Sequence, residues 1–290
     1  MRRAILAAAL ALASLSTAVA QRAGDSATSA GAAPQLRILQ LDVGQGDAAL
    51  ITTPEGRRIL IDAGPSADRV AAMLRSEGID TIDLAIASHA HADHIGGMAA
   101  VLAACVVRAY VDNGIPHTTL TYRRTLDALE RERGLQYLRA TERAITVGSV
   151  TVRILPTSSV AATQNNGSVG VVVEYGEFRA VYSGDSESPA LAAWLATGRV
   201  GRATLVKVGH HGSVNATTAP WVRATSPAVA IISVGGRNAY GHPSPQVEQM
   251  WRAAGAAVFR TDVDGTIEVL GRSDGTFTVR TARRRARTVR

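Results

Sequence analysis

Hydrophobic positions in this chain follow two rhythms. Short runs that are apolar throughout, or that alternate with a period of two, occur at Leu36–Asp42, Ala48–Thr53, Arg58–Asp62, Leu84–Ala87 and Val106–Val111. They return at Ser149–Leu155, Ser168–Tyr175, Phe178–Ser183, Thr204–Val208 and Ala228–Val234. Gly-rich or Pro-Glu-Gly turns separate the first of them, so each run predicts a β-strand. Between them the apolar spacing changes to three and four. Ala67–Ser76 puts Val70, Met73 and Leu74 on one face, and helices are also predicted over Ile95–Ala104, Leu120–Arg133, Pro189–Thr197, Ala219–Thr225 and Ser244–Ala254. Ala257–Arg260, Thr266–Leu270 and Thr276–Arg280 close the chain as strands. This alternation predicts an α/β protein, and its two halves suggest two sheets packed face to face with helices outside.

Composition narrows the class. With 46% hydrophobic and 19% charged residues over 290 positions, the chain has material for a core, and disorder is excluded as its main state. Aromatic residues are only 4%, so that core must be built from Val, Ile, Leu and Ala. The net charge of +7 is local. Arg2 and Arg3 begin the chain, and Arg280, Arg283, Arg284, Arg285, Arg287 and Arg290 fall in its last stretch, which holds no acid. Removing these eight from +7 leaves residues 4–279 at −1. The basicity is a tail, not a nucleic-acid-binding face. Lys207 is the single lysine.

Residues 1–20 read as an export signal. Arg2 and Arg3 precede an apolar run from Ala4 to Leu15, and Ala18-Val19-Ala20 supplies the small-residue cleavage pattern. The run is too short for a spanning helix, which needs roughly 20 residues. No other stretch predicts a span, so the expected location is secreted or periplasmic. Residues 21–34, rich in Ala, Ser and Gly, read as a flexible leader, 35–280 as the folded domain, and 281–290 as a basic tail. Cys105 is the single cysteine, so no internal disulfide can form, and its apolar surroundings predict a small buried hydrophobe.

The candidate chemistry is concentrated in Ser88-His89-Ala90-His91-Ala92-Asp93-His94-Ile95-Gly96-Gly97, directly after a predicted buried strand. Three imidazoles and a carboxylate so close together converge on something cationic, because packed without a cation they desolvate and repel when protonated. Imidazole and carboxylate are the ligand types of zinc-like ions. Two further strands end in polar groups: Tyr182-Ser183-Gly184-Asp185 and Lys207-Val208-Gly209-His210-His211-Gly212-Ser213. Adjacent histidines cannot share one face of a strand, so at least one of His210 and His211 must leave it. Asp62 ends another strand, and His242 lies in a Gly-His-Pro turn. His117 stands outside these motifs and reads as a surface loop residue.

The pattern H-x-H-x-D-H-x-G-G, together with Asp185 and the His210-His211 pair, resembles the metallo-β-lactamase superfamily over about residues 36–270. That resemblance implies a four-layer αββα sandwich. A narrower likeness, to the soluble domain of ComEC-type competence proteins, rests on Leu41-Asp42-Val43-Gly44-Gln45-Gly46-Asp47, Asn165-Asn166-Gly167-Ser168, the Lys207–Ser213 stretch, Ser233–Ser244 and Arg260-Thr261-Asp262.

By that resemblance, His89, His91 and Asp185 hold one metal ion, and Asp93, His94, Asp185 and His211 hold a second. Analogy with phosphodiesterase relatives selects His211 over His210 as ligand, and zinc or manganese fits either site. A hydroxide bridging the two ions is the implied nucleophile. The remaining catalytic candidates are Asp93, His210 and His242, the last two as donors to a phosphoryl oxygen or to the leaving group. Asp62 orients a ligand imidazole, and Asn166, Ser168 and Ser213 contact substrate.

Many superfamily members place a further histidine before the bridging acid. Here Asn165 and Asn166 occupy that region, which argues against β-lactam hydrolysis and for phosphoester chemistry. The expected function is an exported, monomeric, binuclear phosphodiesterase acting on a phosphodiester such as DNA. Hydrolysis of another ester (phosphocholine, lactone or β-lactam) and non-catalytic binding are the alternatives.

Overall fold

The computed structural model describes residues 34–155 and 163–283. The expected export signal, nearly all of the leader and the tail beyond Arg283 lie outside the described residues. In the first half, β1 (Leu36–Gln40), β2 (Ala49–Thr52) and β3 (Arg58–Ile61) are followed by α1 (Arg69–Ser76), β4 (Thr81–Ile82) and β5 (Leu84–Ile86). Next come α2 (Ala92–Ile95), α3 (Met98–Ala104), β6 (Val106–Val107), β7 (Ala109–Asp112), α4 (Leu120–Arg131) and β8 (Gln136–Arg139). The second half runs β9 (Arg143–Val147), β10 (Val150–Leu155), β11 (Gly170–Tyr175), β12 (Phe178–Tyr182), α5 (Ser188–Ala196), β13 (Leu205–Lys207), α6 (Ala219–Thr225) and β14 (Val229–Ile232). It ends with α7 (Pro245–Ala253), β15 (Ala257–Arg260), α8 (Thr261–Asp264), β16 (Ile267–Gly271) and β17 (Phe277–Thr281).

One sheet has the order β17-β16-β1-β2-β3-β5-β7-β8, the other β15-β14-β13-β12-β11-β10-β9, and β4 pairs with β6 in a small third sheet. The strands alternate between two apolar environments. Ile38, Ile51, Ile59, Ile61, Ile86 and Val111 meet Val152, Ile154, Val171, Val173, Leu205 and Ile231 in the core between the two large sheets. The intervening Leu39, Leu50 and Leu60 pack instead with Val70, Leu74, Met98 and Leu102 of the helices on one outer face. Val172, Val181, Val206 and Ala230 do the same with Leu191, Trp194, Trp221 and Trp251 on the other. Both faces of these strands are buried, which is why they read as nearly continuous apolar runs. The layers are helix, sheet, sheet, helix, as the resemblance implies.

Differences from the predicted elements have local causes. β8 and β9 are absent from the sequence reading, because β8 is exposed at three of its four positions and β9 keeps only Val147 buried, so neither shows a two-faced apolar pattern. The run Val106–Val111 divides at Arg108, its first part pairing with β4 and its second with β5. The helix expected from Ile95 is two pieces, α2 and α3, separated at Gly96-Gly97. A Cβ at Gly97 would stand 2.5 Å from the Ala63 carbonyl oxygen, so glycine is what lets this loop press against the end of β3. Cys105 is free and buried. Arg280 sits in β17 and faces Glu268, while Arg283 bonds to Asp42 and the Asp262 carbonyl, so the arginine-rich end begins on the body of the domain. Among the described residues no helix is long and apolar enough to cross a membrane.

Parallel pairing determines where function can sit. β3, β5, β7 and β8 run parallel, and so do β12, β13, β14 and β15. In open α/β sheets ligands bind beyond the carboxyl ends of such strands. Here the turns after β3, β5, β12, β13 and β14 carry Asp62, the Ser88–His94 segment, Asp185, the His210-His211 pair and His242. The two sheets are tied at this end by a buried ion pair: Lys207 of β13 donates to Asp47, in the turn between β1 and β2. Removing one member of a buried pair typically costs about 3–5 kcal/mol, because the other charge is left uncompensated. Lys207→Met should therefore lose stability on that scale in denaturant unfolding, and Lys207→Met with Asp47→Asn should recover part of it. A single-variant loss under about 1 kcal/mol, the level of a surface pair, would mean the link carries no such weight.

Candidate metal centre

The site is built on Asp62. At the end of β3 this residue takes φ +59°, a left-handed conformation uncommon outside glycine. There its carboxylate accepts the Ser88 backbone N–H (2.7 Å), the Ser88 hydroxyl (2.8 Å) and His94 Nδ1–H (2.8 Å). The first two bonds fix the start of the loop after β5. The third turns His94 so that Nε2 faces Asp185 Oδ2 at 3.2 Å. Backbone bonds lock the rest of the loop, from Asp47 N–H to the Asp93 carbonyl (3.0 Å) and from Ala63 N–H to the His94 carbonyl (2.7 Å).

Asp185 arrives from the other sheet, past β12, with its N–H bonded to the Ser168 hydroxyl (3.1 Å). Four imidazoles face its Oδ2 through Nε2: His94 at 3.2 Å, His211 at 3.6 Å, His210 at 3.8 Å and His89 at 3.9 Å. Its other oxygen, Oδ1, is buried and accepts no hydrogen bond among the described residues. A buried carboxylate with one oxygen ringed by imidazole nitrogens and the other left without a partner is the donor set a divalent cation needs, so the residues fit a metal ion. His211 Nε2 also lies 3.2 Å from Asp93 Oδ2, and its Nδ1 donates to the Ser233 carbonyl (2.9 Å). His91 reaches His89, Nδ1 to Nε2 at 2.9 Å. His210 and His211 both lie past β13 with φ +48° and +53°; His211 is buried, while His210 is partly exposed beside Glu187.

A second set of ligand atoms, from Asp47, His94, Asp185 and His211, lies within 4.8 Å of one another. Asp47 reaches these imidazoles from behind, however. Its oxygens are 3.7 Å from His94 Nδ1 and 3.5 Å from His211 Nδ1, whereas Asp93 and Asp185 face the Nε2 edges. One Asp47 oxygen is also taken by Lys207. Asp47 therefore backs the two imidazoles with its charge while Asp62 and the Ser233 carbonyl hold their Nδ1–H groups, and Asp93 completes the front of the site. The sequence reading treats Asp47 only as part of a motif. The signal that could have found it is Lys207, a lone lysine at the end of an apolar strand that needs a buried countercharge.

These side chains open onto a cleft of about 350 Å³, whose wall includes Asp93, Asp185, His210, His211, Tyr240 and His242. His117, which the sequence reads as a surface loop residue outside the motifs, also lines it, its ring 5.8 Å from that of His91. Ser168 is fully buried under Asp185 and bonded within the site, so it stands beneath the cleft wall. Asn166 is buried and grips Glu187 by both its amide N–H and its carbonyl, and Asn165 is the member of that pair on the wall. Ser213 is buried and donates its N–H to the His210 carbonyl. A larger groove of about 930 Å³ lies at the amino ends of the second-half strands, but it holds no imidazole.

Charges in the site are strongly coupled. Burial alone would strip His94 and His211 of their protons, yet the Asp185 carboxylate and its neighbours outweigh it. His94 is held well above the ordinary imidazole range and His211 is pushed up to about 10. Burial and the nearby His94 keep His89 neutral. Burial would raise Asp93, but the bond from His211 brings it down to about 2. Binding a divalent ion at the His94–His211 end thus exchanges protons for metal. Metal affinity should rise with pH up to about 10, and titration calorimetry in buffers of different ionisation enthalpy should show proton release. Heats independent of the buffer would refute the exchange. The raised His211 stabilises the metal-free fold fully below its ordinary value of 6.5, and this contribution is lost as pH climbs through about 10.

The family model described as the metallo-beta-lactamase superfamily matches residues 41–237. The chain is 29% identical over 264 residues to ComE operon protein 3 of Bacillus subtilis (strain 168), covering 82% of this chain and 34% of that protein. It is 29% identical over 240 residues to competence protein ComA of Neisseria gonorrhoeae, covering 80% and 32%. It is 30% identical over 247 residues to recombination protein 2 of Haemophilus influenzae, covering 81% and 29%. The chain therefore spans about a third of the length of these curated relatives. Among solved structures, Igni18, a metallo hydrolase from Ignicoccus hospitalis, shares the fold with a TM-score of 0.52 at 13% identity, covering 80% of this chain and 98% of that one. With helix–sheet–sheet–helix layers, an imidazole-ringed carboxylate at their shared edge and a family match across most of the domain, the chain belongs to the metallo-β-lactamase superfamily.

Proposed function

We propose that the chain is an exported, binuclear metal-dependent phosphodiesterase of the ComEC type, acting as a monomer on a phosphodiester such as DNA. The observation that carries this reading is the ring of imidazole Nε2 atoms around Asp185 Oδ2, at the floor of a cleft whose wall, among the described residues, contains no lysine or arginine. Without metal, protonated His94 and His211 do no more than balance Asp93 and Asp185, so divalent ions are what would give the cleft a net positive charge toward an anionic phosphodiester. His89, His91 and Asp185 would hold one ion, and Asp93, His94, Asp185 and His211 the other. Divalent ions bound there supply Lewis acidity toward a phosphoryl oxygen and activate water at neutral pH.

The chain's own residues do the rest. Asp62 and Ser233 hold His94 and His211 by their Nδ1–H groups, so that both Nε2 atoms stay directed inward. His242, half-buried and 5.8 Å from His210 between ring centres, is held below the ordinary imidazole range by burial and by the His210 and His211 imidazoles. Its ring is therefore neutral near pH 7 and donates one N–H to a phosphoryl oxygen. His210 stands over Asp185 and faces the leaving oxygen.

The test is a hydrolysis screen of the metal-reconstituted protein on single-stranded DNA, bis-p-nitrophenyl phosphate and nitrocefin. Cleavage of the two phosphodiesters and not of nitrocefin is expected; the reverse selectivity, or none, would sink the reading. Asp185→Asn should abolish turnover and lower the metal content while the circular dichroism spectrum is retained. His242→Ala should reduce kcat by about 10²–10⁴-fold, the range for losing one acid–base or oxyanion group, with metal content kept by elemental analysis. Loss of metal in His242→Ala would make it a ligand instead.

A further inference from the structure

Tyr240 is the most exposed large hydrophobic residue described, at 70%, yet it belongs to the wall of the metal cleft. Its ring lies nearly parallel to that of His242, with centres 5.9 Å apart and planes at 17°. From there the rings continue to His210 at 5.8 Å, whose Nε2 is 3.8 Å from Asp185 Oδ2. The loop that presents Tyr240 is braced from within. Asn238 donates through Nδ2 to the carbonyls of Gly235 (2.8 Å) and His242 (2.7 Å). Its Oδ1 accepts the N–H groups of Tyr240 (3.2 Å) and His242 (3.0 Å). One amide thus fixes the backbone on both sides of an aromatic ring that the fold leaves uncovered. Arg237, on the same loop, is exposed and pairs with no acid among the described residues.

The Asn238 brace fixes the ring's position without covering it, so a partner that stacks there loses little to ordering the loop. The surroundings specify that partner. The ring lies on the wall of a centre read as hydrolysing phosphodiesters, on the same loop as the exposed Arg237, and it offers a flat π-face rather than an enclosed pocket. This combination suits successive unpaired bases on a charged backbone. We propose that Tyr240 is a stacking platform that holds an unpaired nucleobase of the substrate strand while the adjoining phosphate enters the cleft. The proposal rests on the phosphodiesterase reading for its phosphate, but the platform can be tested without turnover. It makes base-bearing single strands the preferred substrates and disfavours duplexes, whose bases are already stacked.

The test uses the Mn²⁺-loaded full chain and two single strands of equal length linked by hydrolysis-resistant phosphorothioates, one with normal bases and one abasic throughout. Both carry the same charge, so their difference in affinity isolates the bases. Wild type and Tyr240→Phe are expected to bind the base-bearing strand ~5- to 150-fold more tightly than the abasic one, the range for stacking one base on an aromatic ring. In Tyr240→Ala the two affinities should converge. A 2-aminopurine placed in the strand should be quenched by wild type and not by Tyr240→Ala. A preference for bases that persists in Tyr240→Ala, or wild type that does not distinguish the strands, overturns the platform. Base preference that depends on Tyr240, without cleavage of an unmodified strand, sinks the phosphodiesterase reading and leaves the platform standing.

Discussion

The three most deeply buried carboxylates among the described residues, those of Asp47, Asp62 and Asp185, lie at one end of this sandwich, and the rest of the site answers that charge. Taking a carboxylate out of water without a partner costs several kcal/mol, so each must be met by a donor. Asp47 is met by Lys207, and the two hold each other ionised: the amine is raised and the carboxyl lowered against the effect of burial. Asp62 is met by the Ser88 backbone and hydroxyl and by His94, but burial still dominates and raises its pKa. Asp185 is met by imidazoles alone, and only on one oxygen. Asp47 also keeps one oxygen unbonded, but it has a permanent cation in Lys207, whereas Asp185 has none and is the only one of the three that faces the cleft. The fold gives two of these acids a partner of their own and leaves the third for a cation.

Backbone strain follows the same division. Among the described residues the non-glycine positions with positive φ are Asp62, His210, His211 and Ser226, and the first three belong to the site. Such conformations persist only where surrounding bonds over-determine them, as the three bonds to Asp62 and the Ser233 bond to His211 do here. Two consecutive left-handed histidines resolve the conflict visible in the sequence. Neighbouring side chains in a strand would point to opposite faces, whereas this turn brings His211 inward and still leaves His210 over Asp185.

How much of this is legible in the sequence depends on the distance over which each signal acts. The Ser88–Gly97 segment is legible because its three imidazoles and its acid lie within one short loop. The two large sheets are legible because both faces of their central strands are buried and the apolar runs are nearly unbroken. β8 and β9 are not, since exposed edge strands lack that pattern. Asp47 meets its partner 160 positions away, and no local spacing announces such a contact. Glu187, held by Asn165, Asn166 and Asn215 beside His210, is hidden in the same way, because its four neighbours come from three separate turns. His117 looks isolated in the sequence only because the chain between it and His91 forms α3 and β7 before returning to the cleft.

The centre also belongs to neither half of the chain alone. His89, His91, Asp93 and His94 follow a strand of the first sheet, and Asp185, His210, His211 and His242 follow strands of the second. The nearest imidazole to each carboxylate of the cleft, His94 Nε2 to Asp185 Oδ2 and His211 Nε2 to Asp93 Oδ2, both at 3.2 Å, comes from the other half of the chain. A cation held by both sets is therefore available only to the docked sandwich, and its binding free energy adds to the docking of one sheet on the other. The Lys207–Asp47 pair crosses the same seam from behind. It supplies a fixed positive charge to the sheet junction, felt by Asp47, Asp62 and Asp185 alike, that does not depend on bound metal.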